Sequence, residues 1–319
     1  MEIIMTILEN AFSVLVFPGL LFVAIVGLLL AGIDRKILAR MQKRKGPPIL
    51  QPFYDFFKLM GKETIVPDAA NKRVFLAAPI VGFSSLVVMM LFIPIFGYTA
   101  FSTQGDMIIL LYLLTIPAVA MIIGGSASGS PYAGIGISRE MVTMMAYELP
   151  LVIVLLSVAK AVGGDELCFS MRAIGEFQQE SGLLIANWRL IPAAIAFLLV
   201  IPAEVGTQPF DVAEAETEIC EGPLVEYSGA PLAMFKLNTA IKMFIMTALF
   251  TVLFFGGINT GYVALNALIL VAISAVLTVI TMTLAHAICA RLKIEHLFKF
   301  YWTFVAGLAA ISLILVWIF

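Results

Sequence analysis

The sequence predicts an all-α polytopic membrane protein, with about eight transmembrane helices and an amphipathic cytoplasmic helix in the first loop. Of the 319 residues, 61% are hydrophobic and 13% are charged, which is about half the charge of a soluble domain. The apolar residues also run together in blocks long enough to cross a bilayer. We therefore expect a single integral membrane domain over residues 1–319.

Eight segments reach or approach the roughly 20 apolar residues that a transmembrane helix needs. The start of the chain, MEIIMTILEN, lacks the basic residues of a cleavable signal, so the first span is expected to be retained. No internal repeat is evident, which disfavours an inverted-repeat transporter. The predicted spans are 12–33, 74–97, 107–126, 140–162, 188–204, 235–256, 262–287 and 299–318.

The distribution of basic residues predicts the orientation. Ten of the 19 Lys and Arg residues lie in the loop 34–73. With this loop inside, fifteen basic residues fall inside or at the inner boundary, and three lie near the outer side. We therefore expect the loops 34–73 and 205–234 to face the cytoplasm and both termini to lie outside.

The first loop contains the sequence RKGPPILQPFYDFFKLMGKE, in which apolar residues recur with helical spacing from Ile49 to Met60. Two interpretations remain open: an amphipathic helix on the lipid headgroups, or a docking surface for a soluble partner. The candidate docking residues are Arg35, Lys36, Arg44, Lys45, Asp55, Lys58, Lys62 and Glu63.

The segment Ala203–Gly229 holds seven of the 21 acidic residues and no Lys or Arg. Crowded carboxylates raise each other's pKa, so such a run can hold protons near neutral pH. Pro209 favours a helix start and Gly222-Pro223 a stop, which predicts a short helix. On this helix, one wall of carboxylates would face water, a channel or a basic partner; these are Asp211, Glu214, Glu218 and Glu221.

Three further acids lie in or at the edge of predicted spans: Glu140, Glu148 and Glu204. Glu148 would lie about 12 Å deeper than Glu140, at 1.5 Å per residue. A carboxylate at such a depth costs about 2–3 kcal/mol, which indicates function, although Glu140 could also be a snorkelling or capping group. Lys242, about two turns into the sixth span, could pair with one of these acids.

Together these residues predict a stepwise ion path from the acidic loop to mid-membrane. Its members are Glu140, Glu148, Glu204, Asp211, Glu214, Glu216, Glu218, Glu221 and Lys242. The three Cys and two His residues are scattered and have no spacing typical of zinc, haem or iron–sulfur sites. We therefore expect neither a catalytic residue nor a metal in this chain. The small-residue segment Gly124–Gly136 is either a flexible loop or a place where helices approach closely.

Three motifs resemble the H-subunit family of respiratory complex I and its relatives in group 4 membrane-bound [NiFe]-hydrogenases. These motifs are RKGPPILQPFYDFFKLMGKE, SREMVTMMAYELPL and PFDVAEAETEICEGPLVEYSG, and the resemblance covers nearly the whole chain. It implies a membrane anchor that couples electron transfer in a soluble arm to proton or sodium ion translocation. It also implies that a [NiFe] centre and iron–sulfur clusters lie in partner subunits rather than in this chain.

The partners implied by the resemblance are hydrogenase-like large and small subunits, an iron–sulfur subunit and antiporter-like membrane subunits within the lipid bilayer, with no nucleic acid. One departure concerns the position at which quinone-using members usually carry Arg, because Thr207 stands there. This and the phrase EGPLVEYSG favour a hydrogenase-type member. The alternatives are a quinone-binding H-subunit, the equivalent subunit of a sulfur-reducing relative, and an autonomous ion-coupled transporter.

Overall fold

The computed structural model describes residues 10–164 and 166–318, and this part of the chain is mainly helical. Eight of its helices are long and apolar enough to cross a membrane, which confirms the predicted fold class. The helices are α1 (Leu20–Met41), α2 (Gln51–Met60), α3 (Lys72–Phe92), α4 (Asp106–Ala127), α5 (Pro131–Gly163), α6 (Met171–Ser181), α7 (Ile191–Val205), α8 (Glu216–Ile219), α9 (Gly229–Phe255), α10 (Val263–Ile288) and α11 (Ile294–Ile318).

Helix α9 is the centre of the bundle. Its apolar residues cover all sides of the helix, and 94% of its most apolar stretch of 18 residues is buried. It packs against α1, α3, α7 and α10. A helix that is apolar all round is expected to be enclosed by others, as α9 is. The few polar side chains on α9 are therefore held at fixed positions inside the protein.

The connections gather at two ends. At one end, which we call the loop end, lie the residues 42–71, 128–130, 206–228 and 289–293. Hydrogen bonds join these segments, such as that from Ile65 N to Ser228 Oγ at 2.9 Å. The membrane helices alternate in direction. The first membrane helix therefore begins at the opposite end, and the last one, α11, ends there.

Helix boundaries depart from the sequence prediction at two places. α1 continues to Met41 instead of ending at residue 33, so Asp34 lies within a helix. α5 begins at Pro131 and leaves only residues 128–130 between itself and α4. The prediction stopped at the first charges, whereas a helix continues wherever its polar residues find partners. Of the two interpretations of Gly124–Gly136, the close approach of helices is confirmed, because a Cβ on Gly124 of α4 would lie 2.9 Å from Cβ of Ala78 on α3.

The amphipathic helix predicted in the first loop forms as α2. Phe53 and Phe56 pack against the core of the bundle. Tyr54 and Phe57 point outward, with 60% and 68% of their surface exposed. The helix is therefore fixed by one apolar face and presents a second aromatic surface to its surroundings.

Candidate functional site

The prediction that the acidic run forms a helix is wrong. Residues 206–215 form a loop, and only Glu216–Ile219 makes one helical turn. Val212, Ala213 and Ala215 are all buried, at 6%, 4% and 2% exposure. Packing of the loop onto the bundle therefore outweighs the helical pattern.

The carboxylates of this loop do not form one wall. Asp211 pairs with Arg291 of the α10–α11 connection, at 2.8 Å from Nη2 to Oδ2. Glu218 pairs with Arg139 of α5 at 2.6 Å. Glu221 is half-buried. The side chain of Glu216 lies outside the described part of the structure. The predicted carboxylates could face water, a channel or a basic partner. For Asp211 and Glu218 the structure shows a basic partner, and it lies within this chain.

A proline in α3 explains how the loop is anchored. Pro79 has no N–H, so the carbonyl of Phe75 one turn earlier lacks its helical donor. The hydroxyl of Tyr227 donates to this carbonyl at 3.1 Å. The rings of Phe75 and Tyr227 also stack, with centroids 3.9 Å apart.

Small residues on α4 and α5 form the rest of the surface on which the acidic loop packs. A Cβ on Gly136 would lie 2.5 Å from Cδ of Pro223, and a Cβ on Gly125 would lie 3.2 Å from Cβ of the same proline. At Gly136 this close approach requires glycine, whereas at Gly125 an added Cβ would require Pro223 to shift by a few tenths of an ångström. The acidic loop is therefore part of the folded bundle.

Beneath the loop lies a cavity of about 50 Å³, which we call the acidic cavity. Its ionisable lining residues are Glu140, Glu204, Asp211, Glu214 and Lys242. Such a volume is sufficient for water molecules, and the lining offers them polar partners. The structure therefore brings together five of the nine residues that the sequence assigned to an ion path.

The ion pair between Lys242 and Glu204 lies at the inner side of this cavity. Nζ and Oε1 are 2.7 Å apart, and the side chains are only 9% and 2% exposed. The sequence-based expectation that Lys242 pairs with one of the acids is confirmed. Removing one member would leave a buried, unpaired charge, which makes the pair sensitive to substitution.

Glu148 lies beyond the acidic cavity. It is half-buried on α5 and does not line the cavity, but it interacts electrostatically with Glu204 and Lys242. The adjacent residue Tyr147 is 2% exposed, and its hydroxyl has no hydrogen-bond partner among the described residues. This hydroxyl lies near Glu140 and Glu204 as well. The sequence analysis missed Tyr147, because a tyrosine in an apolar span carries no distinctive pattern.

Glu214 is the loop residue whose protonation is most altered by its surroundings. Burial raises its pKa from 4.5 to about 7, and the charges of Glu140, Glu221 and Asp211 act in the same direction. Lys236 opposes this rise. The sequence-based argument that crowded carboxylates hold protons near neutral pH therefore applies to Glu214.

The sequence analysis also missed a polar contact between α1 and α10. The hydroxyl of Thr283 donates to Oδ1 of Asp34 at 2.6 Å. Thr283 ends a π-helical segment, Val279–Thr283, within α10. Asp34 had been placed in the first loop, and nothing in the sequence distinguishes Thr283 from other threonines. This contact could not be found without the fold.

The candidate docking residues separate into two groups. Arg44, Lys45 and Glu63 are exposed on the loop end, and Lys36 is half-exposed. A second group lines a separate cavity of about 330 Å³, which we call the basic cavity; its members are Arg35, Asp55, Lys58 and Lys62.

Within the basic cavity, Arg35 pairs with Asp55 at 3.0 Å. Burial acts to raise the pKa of Asp55, but hydrogen bonds from Gln51 and Arg35 outweigh it and hold this pKa below its usual value. Among the residues that the structure describes, no group of three or more His, Cys, Asp or Glu side chains is placed to hold a metal ion.

A comparison with known families matches residues 13–317 to the NADH dehydrogenase family. The chain belongs to this family. The match spans all eight membrane helices and both charged loops, so the resemblance inferred from the three motifs is confirmed.

Two relatives and one solved structure show the breadth of the family. The chain is 36% identical over 231 residues to hydrogenase-4 component C of Escherichia coli (strain K12), covering 71% of this chain and 70% of that protein. It is 33% identical over 273 residues to the H-subunit of NADH-quinone oxidoreductase of Chelativorans sp. (strain BNC1), covering 78% and 79%. A chain of the membrane-bound sulfane sulfur reductase, an archaeal respiratory membrane complex, superimposes with a TM-score of 0.86 at 30% identity, covering 98% of this chain and 99% of that one.

Proposed function

We propose that this chain is the membrane anchor and coupling subunit of an energy-converting redox complex of the membrane-bound hydrogenase type. It links electron transfer in a soluble arm to proton or sodium ion translocation in neighbouring membrane subunits. The acidic cavity carries this proposal, because it gathers four carboxyl groups and one ammonium group where the acidic loop packs on the membrane helices. Buried ionisable groups of this kind in membrane proteins typically mark ion pathways.

Glu214 is the entry of the proposed path. With a pKa of about 7 it exchanges its proton near neutral pH. A shift of the loop, driven by the soluble arm, would change the distance between Glu214 and Glu140 and hence the affinity of both for a proton. The pair Lys242–Glu204 then provides a charge that responds to the protonation of Glu140. The hydroxyl of Tyr147 is near enough to interact electrostatically with Glu204, Glu140 and Glu148.

The soluble arm would bind at the loop end, through the exposed residues Arg44, Lys45 and Glu63 and the outer side of the acidic loop. By the positive-inside rule this end is cytoplasmic, and both termini lie outside. Cysteines introduced at Lys45 and Glu226 should be labelled from the cytoplasmic side alone. Labelling of either from outside would reverse the orientation.

The redox centres belong to the partners in this proposal. A [NiFe] centre and iron–sulfur clusters would be held by hydrogenase-like large and small subunits and an iron–sulfur subunit, and antiporter-like subunits would adjoin the membrane helices. Purification of the chain from its native membrane should yield these subunits together. Isolation as a lone active carrier would instead support an autonomous transporter, a function that membership of the NADH dehydrogenase family already disfavours.

The coupling role is tested by Glu148→Gln in the assembled complex. We expect redox turnover without ion pumping in proteoliposomes, because the last carboxyl of the path can no longer hold a proton. Glu180→Gln, an exposed substitution on α6 at the opposite end, is the matched control and should pump normally. Normal pumping by the Glu148→Gln complex would exclude this residue from translocation.

A second candidate function, quinone binding, is favoured by the similarity to the H-subunit of NADH-quinone oxidoreductase. Thr207 argues against it, because it stands where quinone-using members usually carry Arg, and its hydroxyl donates to the carbonyl of Pro202 at 3.2 Å. We therefore expect the purified complex to contain no stoichiometric quinone and to be insensitive to quinone-site inhibitors. Turnover that depends on added quinone would favour the second function.

A further inference from the structure

The basic cavity has no role in the coupling path described above. It lies at the loop end between α1, α2 and α9 and has a volume of about 330 Å³. Four of its lining residues are basic and one is acidic; they are Arg35, Lys58, Lys62, Lys236 and Asp55. Such an imbalance in a partly enclosed space favours an anionic ligand.

The charges that remain unpaired belong to lysines. Arg35 is matched by Asp55, which also accepts a hydrogen bond from Gln51 at 2.9 Å. Within residues 10–164 and 166–318, no ion pair is formed by Lys58, Lys62 or Lys236. Lys236 interacts at longer range with Asp55 and Glu214. Asp55 is the one acidic residue in the lining, so the basic residues of the cavity outnumber its carboxylates four to one.

The remaining walls of the cavity are apolar. Leu28 and Ala31 come from α1, Leu59 comes from α2, and Leu237 and Ala240 come from α9. α1 and α9 are membrane-spanning helices, so these walls continue into the hydrocarbon region. A ligand that fits both kinds of wall has an anionic head and a hydrocarbon chain.

Helix α2 places the cavity at the level of the lipid headgroups. Pro52, Asp55 and Leu59 recur at helical spacing and face the cavity. The side chains of Tyr54 and Phe57 are exposed and aromatic, as is typical of helices at a membrane interface. The opening beside α2 is therefore within reach of a phospholipid phosphate.

We propose that the basic cavity binds an anionic phospholipid. Its phosphate lies among Lys58, Lys62 and Lys236, and one acyl chain lies along Leu28 and Leu237. A zwitterionic lipid would bring a cation of its own beside the lysines, and a neutral ring would leave the ammonium groups unpaired. A soluble acidic segment of a partner would leave the apolar walls unfilled.

The site is separated from the acidic cavity by α9 alone. Lys236 and Ala240 face the basic cavity, whereas Asn238, Thr239 and Lys242 face the acidic cavity. A phosphate beside Lys236 would offset a positive charge that acts on Glu214. Lipid occupancy would thereby influence the acidic loop, although the lipid site itself does not depend on the proposed coupling function.

The test uses the full-length chain with the subunits that accompany it, in phosphatidylcholine nanodiscs. Spin-labelled phosphatidylglycerol and spin-labelled phosphatidylcholine are compared by the fraction that becomes immobilised on the protein. We expect the wild type to prefer phosphatidylglycerol, with a preference that weakens as salt is raised. The triple variant Lys58→Gln, Lys62→Gln, Lys236→Gln should reduce the preference for phosphatidylglycerol over phosphatidylcholine on the order of a hundredfold, or about 3 kcal/mol.

The matched control is the triple variant Lys43→Gln, Lys72→Gln, Arg73→Gln, which removes three exposed charges from the same end, outside the cavity and outside the proposed docking residues. It should keep the preference. Equal immobilisation of both lipids by the wild type would overturn the proposal, as would an equal loss in both triple variants. A preference that appears only after the soluble subunits are stripped away would assign the cavity to a protein segment, and would also overturn it.

Discussion

Replacing Glu214 by Gln tests whether the acidic loop holds a proton near neutral pH. The folded protein raises the pKa of this carboxyl from 4.5 to about 7. The difference corresponds to about 3 kcal/mol of stability, at about 1.4 kcal/mol per pH unit. Because the native state binds the proton more tightly than the unfolded state, this stability is present below pH 4.5 and is lost as the pH rises through about 7.

The Glu214→Gln variant has no proton to lose at this position. It should therefore match the wild type at low pH and exceed it by up to about 3 kcal/mol at alkaline pH. Thermal unfolding of the purified complex at several pH values measures the difference. Infrared difference spectroscopy of the protonated carboxyl should give a midpoint near pH 7 that is absent in the variant.

Glu226→Gln is the control for this experiment, because it neutralises an acid of the same loop that does not line the acidic cavity. It should leave the infrared midpoint in place. A wild-type midpoint below pH 5, or equal pH profiles for the wild type and Glu214→Gln, would refute the argument that burial and neighbouring carboxylates keep this group protonated.

Three further substitutions test the packing of the acidic loop on the helices and the buried ion pair by thermal unfolding. Lys242→Met should destabilise the protein by about 3–5 kcal/mol, and adding Glu204→Gln should restore most of this loss; no recovery would mean that the pair is not isolated. Gly136→Ala should cost about 1–3 kcal/mol by overpacking, whereas Gly134→Ala, with open space around it, should be neutral or stabilising, and equal effects would contradict the close approach. Tyr227→Phe should cost about 1–3 kcal/mol, because it leaves a buried carbonyl without a donor, and an unchanged stability would exclude that hydrogen bond as an anchor.

The membrane spans could be predicted from the sequence because they depend on one dominant property. Runs of apolar residues identify a span whatever its neighbours are, and all eight were found. The helix α2 was found for the same reason, since its apolar spacing is local. The sequence prediction ended α1 too early and began α5 too late. Charged residues at such helix ends are accommodated by tertiary contacts, such as that of Asp34 with Thr283.

The acidic loop shows the limit of the helical pattern. Its carboxylates have the spacing of a helix face, but Asp211 and Glu218 are held by basic residues far away in the sequence, Arg291 and Arg139. Such partners cannot be read from a local window. The sequence did indicate that carboxylates gather at this end of the bundle, and the structure determines which of them share one cavity. Their role in ion translocation stays a prediction.

The central position of α9 has a consequence for how the two cavities can influence each other. An enclosed helix of 27 residues cannot shift without disturbing every helix packed on it, so a lever-like motion through α9 is disfavoured. Lys236 and Lys242 are six residues apart, or about 9 Å along the axis. Two charges at such a separation interact by about 1–2 kcal/mol at an effective dielectric constant near 20. The electric field across a stationary helix is thus strong enough to shift a proton equilibrium by about one pH unit. Communication of this kind requires no moving part and is limited only by how quickly charges arrive on either side.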